Sequence, residues 1–247
     1  MTDTPFSLVG KRALVTGAGS GFGAGIARAF AEAGAHVGVA DIRTEAAADV
    51  AAQLEGTALQ VDVADAASVD AMAAVFGMPD ILVNNAGVTH VPAALEDVAE
   101  AEFDRVLAVN AKSVYLTARA FVPAMKARGS GAILNVASTA GLSPRPRLNW
   151  YNASKGWMIT ATKTMAVELA PAGVRVNALA PVAGETPLLA SFMGEDTPEM
   201  RAKFLATIPI GRFSTPQDMG AAAVYLCSDA ASMVTGAVLE VDGGRCI

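Results

Sequence analysis

The stretch Arg12-Ala-Leu-Val-Thr16, followed by Gly17-Ala-Gly-Ser-Gly21-Phe22-Gly23, decides the fold. The first five residues are an apolar run typical of a buried strand, and apolar residues at helical spacing follow as far as Ala33. A strand, a glycine-rich turn and a helix are the phosphate-binding opening of a dinucleotide fold, because glycines let the backbone approach a pyrophosphate and a helix N-terminus attracts anions. The alternative is a tight strand–helix turn that binds nothing.

A second apolar run, residues 36–40, ends at Asp41. Its distance from the glycine turn is close to the spacing of about 20 residues expected for an acid that binds a ribose 2′-hydroxyl. That carboxylate would repel a 2′-phosphate, and no basic residue lies within 17–23, although Arg43 is close enough to offset the repulsion. The pattern favours NAD over NADP, with an ordinary loop acid as the alternative.

Strand-like and helix-like segments alternate to the end of the chain, which is typical of a parallel sheet covered on both faces. The predicted strands are 12–16, 36–40, 57–61, 80–84, 131–137, 174–179 and 237–241. The predicted helices are 21–33, 44–54, 65–76, 100–128, 150–170 and 215–228. We therefore predict one α/β domain over residues 1–247, a Rossmann-type doubly wound sheet of seven parallel strands flanked by helices. Ligands would bind beyond the carboxyl ends of the strands.

Composition narrows the class of protein. The 247 residues are 53% hydrophobic and 17% charged, with a net charge of −6, which fits a large core and gives no basic surface for nucleic acid. No signal peptide and no apolar run of about 20 residues is visible, so we expect neither secretion nor a membrane span. Cys227 in an apolar pattern and a surface Cys246 fit a reducing cytoplasm. The sequence shows no cluster of histidine and cysteine ligands, so we expect no catalytic metal.

The region around 182–212 breaks the alternation. It contains several prolines and large apolar residues and is too long for an ordinary connection. Since it follows a strand end, where ligands bind, we interpret it as a mobile substrate lid with one or two short helices. A rigid excursion or a contact between subunits remains an alternative.

Tyr151 and Lys155 are four residues apart in a predicted helix, so both side chains point to the same side. An ammonium beside a phenol favours the phenolate and lowers the pKa of the tyrosine from its usual value of about 10. A tyrosine tuned in this way exchanges protons with an alcohol or a ketone.

Together these residues resemble the short-chain dehydrogenase/reductase family, in its branch of about 250 residues, over essentially the whole chain. The motif residues are Thr16, Gly17, Gly21 and Gly23 in the nucleotide turn, Asp62-Val63 as the adenine-contacting pair, Asn84-Asn85-Ala86-Gly87 in the central strand, the helix residue Asn110, and Ser138, Tyr151 and Lys155. The resemblance implies that the dinucleotide binds to a set that includes Gly17, Gly21, Phe22, Gly23, Asp41, Asp62, Val63, Asn84, Ala86, Gly87, Tyr151, Lys155, Pro181 and Thr186.

The resemblance also implies roles. Tyr151 would be the general acid or base, Ser138 would bind the substrate oxygen, and Lys155 would hold the nicotinamide ribose and lower the Tyr151 pKa. Asn110 would kink its helix and support a water between Lys155 and solvent. One position departs from the family: Pro181 is followed by Val182 where glycine is usual, so the chain leading to Thr186 is expected to differ locally.

The substrate is expected between residues 139–150 and the lid. An apolar wall is predicted from Leu142, Trp150, Leu188, Leu189, Phe192 and Met193. Arg145 and Arg147, stiffened by neighbouring prolines, are interpreted as exposed charges or subunit salt bridges; a clamp for an anionic substrate group is the alternative. His90, on a loop near the mouth of the site, is either a titrating group or an ordinary loop residue.

The sequence thus predicts an NAD(H)-dependent enzyme that interconverts a secondary alcohol (a sugar, polyol or cyclic alcohol) and a ketone. A 3-oxoacyl thioester reductase of the same family and a non-catalytic NAD-binding sensor are the alternatives. Members of the family are commonly tetramers or dimers. The resemblance therefore implies a homotetramer, with a dimer as the second possibility, and a small-molecule partner only.

Overall fold

The computed structural model describes residues 4–247, and its centre is a seven-stranded sheet. The strands lie in the order β3-β2-β1-β4-β5-β6-β7, and every neighbouring pair is parallel. They are β1 (Arg12–Thr16), β2 (His36–Asp41), β3 (Thr57–Gln60), β4 (Ile81–Asn84), β5 (Gly131–Val136), β6 (Val174–Pro181) and β7 (Val238–Val241). The predicted doubly wound, Rossmann-type sheet is confirmed, with strand ends within two residues of the predicted ones.

Helices connect the strands. They are α1 (Gly21–Glu32), α2 (Thr44–Gln53), α3 (Ala66–Phe76), α4 (Glu100–Leu107), α5 (Ser113–Arg128), α6 (Asn149–Leu169), α7 (Leu189–Met193), α8 (Pro198–Leu205) and α9 (Pro216–Cys227). The helix predicted over 100–128 is interrupted by a π-helical turn, Ala108–Lys112, which separates α4 from α5. Along the part of the chain that the structure describes, no helix combines the length and apolarity needed to cross a bilayer.

The sheet is buried on both faces because neighbouring residues of a strand point to opposite sides. On β1, Ala13 and Val15 pack into the cluster formed with α1, α2 and α9, whereas Leu14 packs into the cluster formed with α3, α5 and α6. This explains why the strands read as continuous apolar runs and not as alternating ones.

A chain of buried hydrogen bonds crosses this apolar interior. Thr117 of α5 donates to the Asn84 amide oxygen (2.8 Å), and the Asn84 amide nitrogen donates to Asn135 of β5 (2.8 Å). Asn135 in turn donates to the Thr162 hydroxyl of α6 (2.9 Å). These hydrogen bonds fix α5 and α6 relative to the two central strands. They leave no polar group of the series unsatisfied, because each buried group has a partner.

The segment after β6 forms a small unit of its own beyond the sheet. Its two short helices, α7 and α8, confirm the prediction of one or two short helices. The unit packs around Val182, Leu189, Met193, Ile208 and Phe213, a cluster separate from the two cores of the sheet. We call residues 182–212 the lid segment.

Asn135→Leu is expected to lower the free energy of unfolding by about 3 kcal/mol. The leucine leaves the Asn84 amide nitrogen buried without an acceptor, which costs about 1–3 kcal/mol, and removes the hydrogen bond that the Thr162 hydroxyl accepts, which is worth about 0.5–1.5 kcal/mol. The Thr162 hydroxyl keeps its bond to the Met158 carbonyl. Urea denaturation measures the difference. Asn149→Leu makes the same chemical change at an exposed position and is expected to alter stability by less than about 0.5 kcal/mol. Equal unfolding free energies for the two variants would contradict the structural importance of this chain of bonds.

Candidate active site

A cleft of about 470 Å³ lies at the carboxyl edge of the sheet, under the lid segment. Residues from the glycine turn, from the ends of β2–β6 and from α6 line it. Predicted dinucleotide residues that line it are Gly17, Gly21, Phe22, Gly23, Asp41, Asp62, Val63, Ala86, Gly87, Tyr151, Lys155, Pro181 and Thr186. The structure therefore brings together nearly the whole predicted set at one place.

The glycine turn is held closely against the end of β4. Gly17 has φ +63°, and a Cβ there would lie 2.8 Å from the Cα of Ala86, so only glycine fits. The Asn85 amide donates to the carbonyl oxygens of Thr16 (2.9 Å) and Gly17 (3.1 Å). At the start of α1, Ser20 makes no side-chain capping bond and the first turn has no acidic residue. The first N–H groups of α1 are thus free to bind an anion, which fits a dinucleotide pyrophosphate.

Asp41 closes the other end of this nucleotide region. Its buried carboxylate accepts hydrogen bonds from the backbone N–H groups of Gly19 (2.9 Å) and Arg43 (3.0 Å). The Arg43 guanidinium lies 3.4 Å from the same carboxylate and donates to the Ser20 hydroxyl (3.0 Å). A carboxylate held in this position accepts hydroxyl hydrogen bonds, whereas the Arg43 cation beside it would favour a phosphate.

Ser138, Tyr151 and Lys155 meet deeper in the cleft. Tyr151 and Lys155 lie one turn apart on α6 and are only 5% and 4% exposed. Ser138 follows β5 on a short turn that packs against α6, where a Cβ on Gly141 would lie 2.8 Å from the backbone nitrogen of Gly156. This close approach of backbone to backbone sets the Ser138 hydroxyl beside that of Tyr151.

The pKa values of Tyr151 and Lys155 differ from the expectation that the lysine lowers the pKa of the tyrosine. Burial raises the pKa of Tyr151 to about 12, and the neighbouring Ser138 hydroxyl opposes this rise. Burial lowers the pKa of Lys155 to about 8. The Lys155 ammonium lies 5.9 Å from the centre of the Tyr151 ring and donates instead to the Val136 carbonyl (2.8 Å). Among the protein's own groups, desolvation therefore outweighs the effect of the lysine, and the expected lowering of the Tyr151 pKa by Lys155 is not seen.

Asn110 lies in the π-helical turn between α4 and α5, where it is fully buried. Its amide oxygen accepts from the Val88 N–H (2.9 Å), and its amide nitrogen donates to the Val88 carbonyl (2.9 Å) and the Ser154 hydroxyl (2.9 Å). The expected distortion of the helix is present, and it directs the asparagine at the loop after β4 and at α6. Asn110 thus positions two walls of the cleft.

The far end of the cleft is apolar with one cation. Leu188 and Phe192 of the lid segment line it as predicted. Arg145 also lines it and is partly buried, so it is not the exposed charge that the sequence favoured. The Phe192 ring meets the Tyr151 ring edge-on at 5.0 Å. Phe204, which the sequence did not single out, also lines the cleft, because α8 folds back over Arg145. This end is the natural place for the body of a substrate.

Trp150 is a correction to the predicted substrate wall. It lies outside the cleft, donates its indole N–H to the Leu95 carbonyl (3.2 Å) and packs edge-on against Phe103 at 5.2 Å. The reason is helical geometry: adjacent residues of a helix point about 100° apart, so when Tyr151 faces the cleft, Trp150 faces α4.

Other residues of the predicted wall also lie elsewhere. Leu142 is exposed, and Leu189 and Met193 form the core of the lid segment. Arg147 is exposed outside the cleft, with positive φ. His90, expected near the mouth, is buried and shares a 2.9 Å hydrogen bond with the Val91 carbonyl.

Asn84 departs from its predicted role in cofactor binding. Both ends of its side-chain amide are used within the buried chain of hydrogen bonds, and the cleft is lined by the next residue, Asn85. Adjacent side chains of an extended segment point to opposite sides, which directs the Asn84 amide into the buried network and the Asn85 amide to the glycine turn. The sequence offered no signal to tell which of the two points into the sheet.

Val182 replaces the usual glycine without strain. Among non-glycine residues within 4–247, only Glu55 and Arg147 have positive φ, so the backbone at Val182 is an ordinary one. Its side chain is buried in the core of the lid segment. The valine therefore anchors the lid segment, and Thr186 still reaches the cleft.

One group of potential metal ligands occurs within the described residues. Ligand atoms of Glu240, Asp242 and Cys246 lie within 4.8 Å of one another. The Asp242 carboxylate already accepts from the N–H groups of Gly244 (2.9 Å) and Cys246 (2.8 Å), and none of the three residues lines the cleft. Cys227 is buried as predicted, whereas Cys246, expected at the surface, is partly buried.

The comparison with protein families decides the identity of the chain. A family model described as enoyl-(acyl carrier protein) reductase matches residues 17–245. The chain belongs to the short-chain dehydrogenase/reductase family. The match begins at the glycine turn and includes Ser138, Tyr151 and Lys155, so the resemblance read from the motifs is confirmed over nearly the whole chain.

Curated relatives in the short-chain dehydrogenase/reductase family are similar over almost their full length. The 4-formylbenzenesulfonate dehydrogenase of Comamonas testosteroni is 50% identical, covering 94% of this chain and 96% of the relative. The D-threitol dehydrogenase of Mycolicibacterium smegmatis is 43% identical, covering 99% and 96%. Relatives of this chain are therefore oxidoreductases, some of them named for a polyol.

Solved structures of short-chain dehydrogenases/reductases share the fold closely. A 3-ketoacyl-(acyl-carrier-protein) reductase from Brucella melitensis complexed with NADH is 49% identical, with TM-score 0.92 and coverage of 98% of this chain and 100% of that one. A gluconate 5-dehydrogenase from Burkholderia cenocepacia in complex with NADP and tartrate is 36% identical, with TM-score 0.91 and coverage of 98% and 97%. Neighbours in this family thus bind nicotinamide dinucleotides, NADH in one case and NADP in the other.

Burial of Lys155 predicts a rise of stability with pH. The unfolded chain keeps the Lys155 proton up to a pKa near 10.5, whereas the folded chain loses it near 8. Between these values the unfolded state binds more protons, so the free energy of unfolding increases as the pH rises. From pH 8 to 10 the gain relative to Lys155→Met is expected to be about 2 kcal/mol.

Urea denaturation of both proteins across that range measures this gain. The comparison stops at pH 10 because the raised pKa of Tyr151 acts in the opposite direction above it. Parallel stability curves for the two proteins would show that the Lys155 ammonium is not desolvated as the structure indicates.

Proposed function

We propose that this protein is an NAD(H)-dependent oxidoreductase that interconverts a secondary alcohol and a ketone, with Tyr151 as the proton-transfer group. The observation that carries the proposal is the buried meeting of Tyr151 with Ser138 and Lys155, next to a glycine turn suited to a dinucleotide. The dehydrogenases among its relatives, one of them named for threitol, support the reaction class.

The dinucleotide would be held along the carboxyl edge of the sheet. The free N–H groups at the start of α1 would bind its pyrophosphate, Asp41 its adenosine ribose, and Lys155 its nicotinamide ribose. Asp62 and Val63 would border the adenine, and Thr186 would contact the nicotinamide amide. When bound, the cofactor accepts or donates the hydride.

Tyr151 and Ser138 would carry the proton chemistry. In ketone reduction the Tyr151 hydroxyl donates its proton to the carbonyl oxygen, while Ser138 hydrogen-bonds that oxygen and stabilises its developing negative charge. In alcohol oxidation the Tyr151 oxygen removes the hydroxyl proton. Asn110 holds the π-helical turn against Val88 and Ser154, which keeps α6 and its two reactive side chains in position.

Because the pKa of Tyr151 is raised, ketone reduction and alcohol oxidation would depend on pH in different ways. At neutral pH the residue is a protonated donor, ready for reduction. Oxidation needs the phenolate, and lowering the Tyr151 pKa from about 12 to near neutral pH, by about 5 units, requires about 7 kcal/mol. The Lys155 ammonium and the positive charge of the oxidised nicotinamide would supply this stabilisation in a site that excludes water.

Tyr151→Phe is expected to lower kcat about 10³-fold without loss of the fold, because the ring stays and the transferable proton is removed. The assay follows NADH formation over a panel of secondary alcohols, and circular dichroism verifies the fold. Tyr225→Phe makes the same change at an exposed position on α9 and is the matched control. Near-normal turnover by Tyr151→Phe would refute the assignment. A wild-type protein that binds NADH but oxidises nothing in the panel would instead indicate a sensor.

We further propose that NAD is the preferred cofactor. The Asp41 carboxylate is fixed by two backbone N–H groups at the place where a ribose hydroxyl is expected, and a 2′-phosphate would meet its negative charge. Arg43 lies beside it, with its side chain mostly exposed, so its attraction for a phosphate is screened by solvent.

Asp41→Asn is expected to reduce the preference for NAD over NADP, taken as the ratio of kcat/KM values, at least about tenfold. Loss of the charge removes the repulsion and weakens the hydrogen bond to the ribose, which together are worth about 1.5–3 kcal/mol. Asp49→Asn, the same change at an exposed site on α2, is the control. A wild-type protein that favours NADP would contradict the proposal directly.

The runner-up function is reduction of a 3-oxoacyl thioester. It is favoured by the similarity to the Brucella melitensis 3-ketoacyl-(acyl-carrier-protein) reductase. Both functions share the proposed roles of Tyr151 and Ser138 and differ in the substrate. A substrate panel that includes an acetoacetyl thioester beside polyols and cyclic alcohols separates them.

We also infer a homotetramer made of one catalytic domain per chain, with a dimer as the second possibility. Support comes from large apolar side chains left exposed on α5 and α6: Tyr115, Trp157 and Val167. Contact between subunits along these two helices would cover them.

A further inference from the structure

Two arginine side chains without a carboxylate partner come together near the far end of the cleft: Arg145 lines it, and Arg245 bonds to Ser143, which lines it. Six arginines within residues 4–247 form ion pairs with Asp or Glu, and neither Arg145 nor Arg245 is one of them. Arg175, which is also partly buried, donates to three backbone carbonyl groups. The guanidinium groups of Arg145 and Arg245 instead make one hydrogen bond each, to a hydroxyl, and so meet neither a carboxylate nor a carbonyl oxygen.

Arg145 is held in place from both sides of the cleft. Its guanidinium stacks on the Phe204 ring at 4.4 Å and donates to the Thr207 hydroxyl (3.0 Å), both in the lid segment. Its backbone carbonyl accepts from the side-chain amide of Asn152 (2.7 Å), which follows Tyr151 on α6. A stacked and anchored guanidinium is preorganised, so little conformational entropy is lost when it binds a ligand.

Arg245 approaches the same place from the C-terminal segment. One of its terminal nitrogens donates to the Ser143 hydroxyl (3.2 Å), and Ser143 lines the cleft together with Arg145. Its Nε is buried without a hydrogen-bond partner. The pKa of Arg145 is lowered by burial and, to a lesser extent, by the nearby charge of Arg245. Two like charges that share a partly desolvated corner are mutually unfavourable, and an anion between them would relieve the repulsion.

The walls between this corner and Tyr151 are apolar. Phe192 touches the Tyr151 ring, and Leu148 and Leu188 also line the cleft. A ligand that reaches from the Tyr151 hydroxyl to the arginines would thus have a hydrophobic body with a reacting oxygen at one end and a negative charge at the other.

We propose that Arg145 and Arg245 form an anion subsite that selects alcohols or ketones bearing a carboxylate or sulfonate at the end remote from the reacting carbon. The inference rests on the proposed function, since the reacting end of such a molecule is the group that Tyr151 addresses. The anion itself is bound by the arginines alone, so its binding is measurable without turnover.

The test compares two ligands of equal shape. Calorimetric titration of the enzyme saturated with NADH uses 4-toluenesulfonate and its neutral analogue 4-toluenesulfonamide. The sulfonate is expected to bind at least about tenfold more tightly, because charge-assisted hydrogen bonds contribute more than neutral ones. Arg145→Gln and Arg245→Gln are each expected to reduce this preference to about threefold or less, with weaker sulfonate binding and unchanged sulfonamide binding.

Arg147→Gln is the matched control, two residues from Arg145 but exposed outside the cleft, and it is expected to keep the full preference. Thermal unfolding verifies that each variant is folded; if one is not, the other arginine variant decides. Equal binding of the two ligands by the wild type, or a preference that survives both Arg145→Gln and Arg245→Gln, overturns the subsite.

Turnover of neutral secondary alcohols with NAD, measured in parallel, separates this inference from the proposed function. Oxidation of neutral alcohols without any sulfonate preference removes the anion subsite and leaves the oxidoreductase. A sulfonate preference in a protein that oxidises no alcohol, neutral or anionic, supports the subsite and removes the oxidoreductase.

Discussion

Burial of the Tyr151 hydroxyl and the Lys155 ammonium in one cleft is the constraint on which the chemistry depends. Desolvation favours the neutral form of each group, so it raises the pKa of the tyrosine to about 12 and lowers that of the lysine to about 8. Both groups are desolvated because the strand ends, the lid segment and α6 enclose the same space. In return, any charge that develops there interacts with its neighbours much more strongly than it would in water. The proposed proton transfer uses that difference.

The scaffold around these two groups is rigid for reasons that have nothing to do with the reaction. The hydrogen-bonded chain from Thr117 through Asn84 and Asn135 to Thr162 joins two helices to the two central strands. The backbone contact at Gly141 then fixes the turn of Ser138 against α6. A polar chain inside an apolar sheet specifies one arrangement, because any other leaves a donor or an acceptor unsatisfied. Asn84 belongs to this scaffold, although its motif had suggested the cofactor.

The lid segment joins the substrate end of the cleft to a small core of its own. Val182, where the family usually has glycine, lies in that core and still leads the chain to Thr186 in the cleft. Phe192 and Phe204 reach from the lid segment to Tyr151 and Arg145, so the reacting group and the proposed anion subsite are both covered by the same unit. The lid segment would therefore contribute to the selection of both the shape and the charge of the substrate.

The sequence by itself determined the sheet, the glycine turn, the helical pairing of Tyr151 with Lys155 and the family, because strand and helix periodicity and motif spacing are local properties. It could not determine which of two adjacent asparagines faces the site, nor that Trp150 turns to α4, since both depend on the rotation of an element against its neighbours. It did not reveal Arg245, which is far from Arg145 in the chain and meets it only through the tertiary fold. The direction in which the Tyr151 pKa shifts also depends on the tertiary structure. The spacing shows that a lysine is near, but only the packing shows how completely water is excluded.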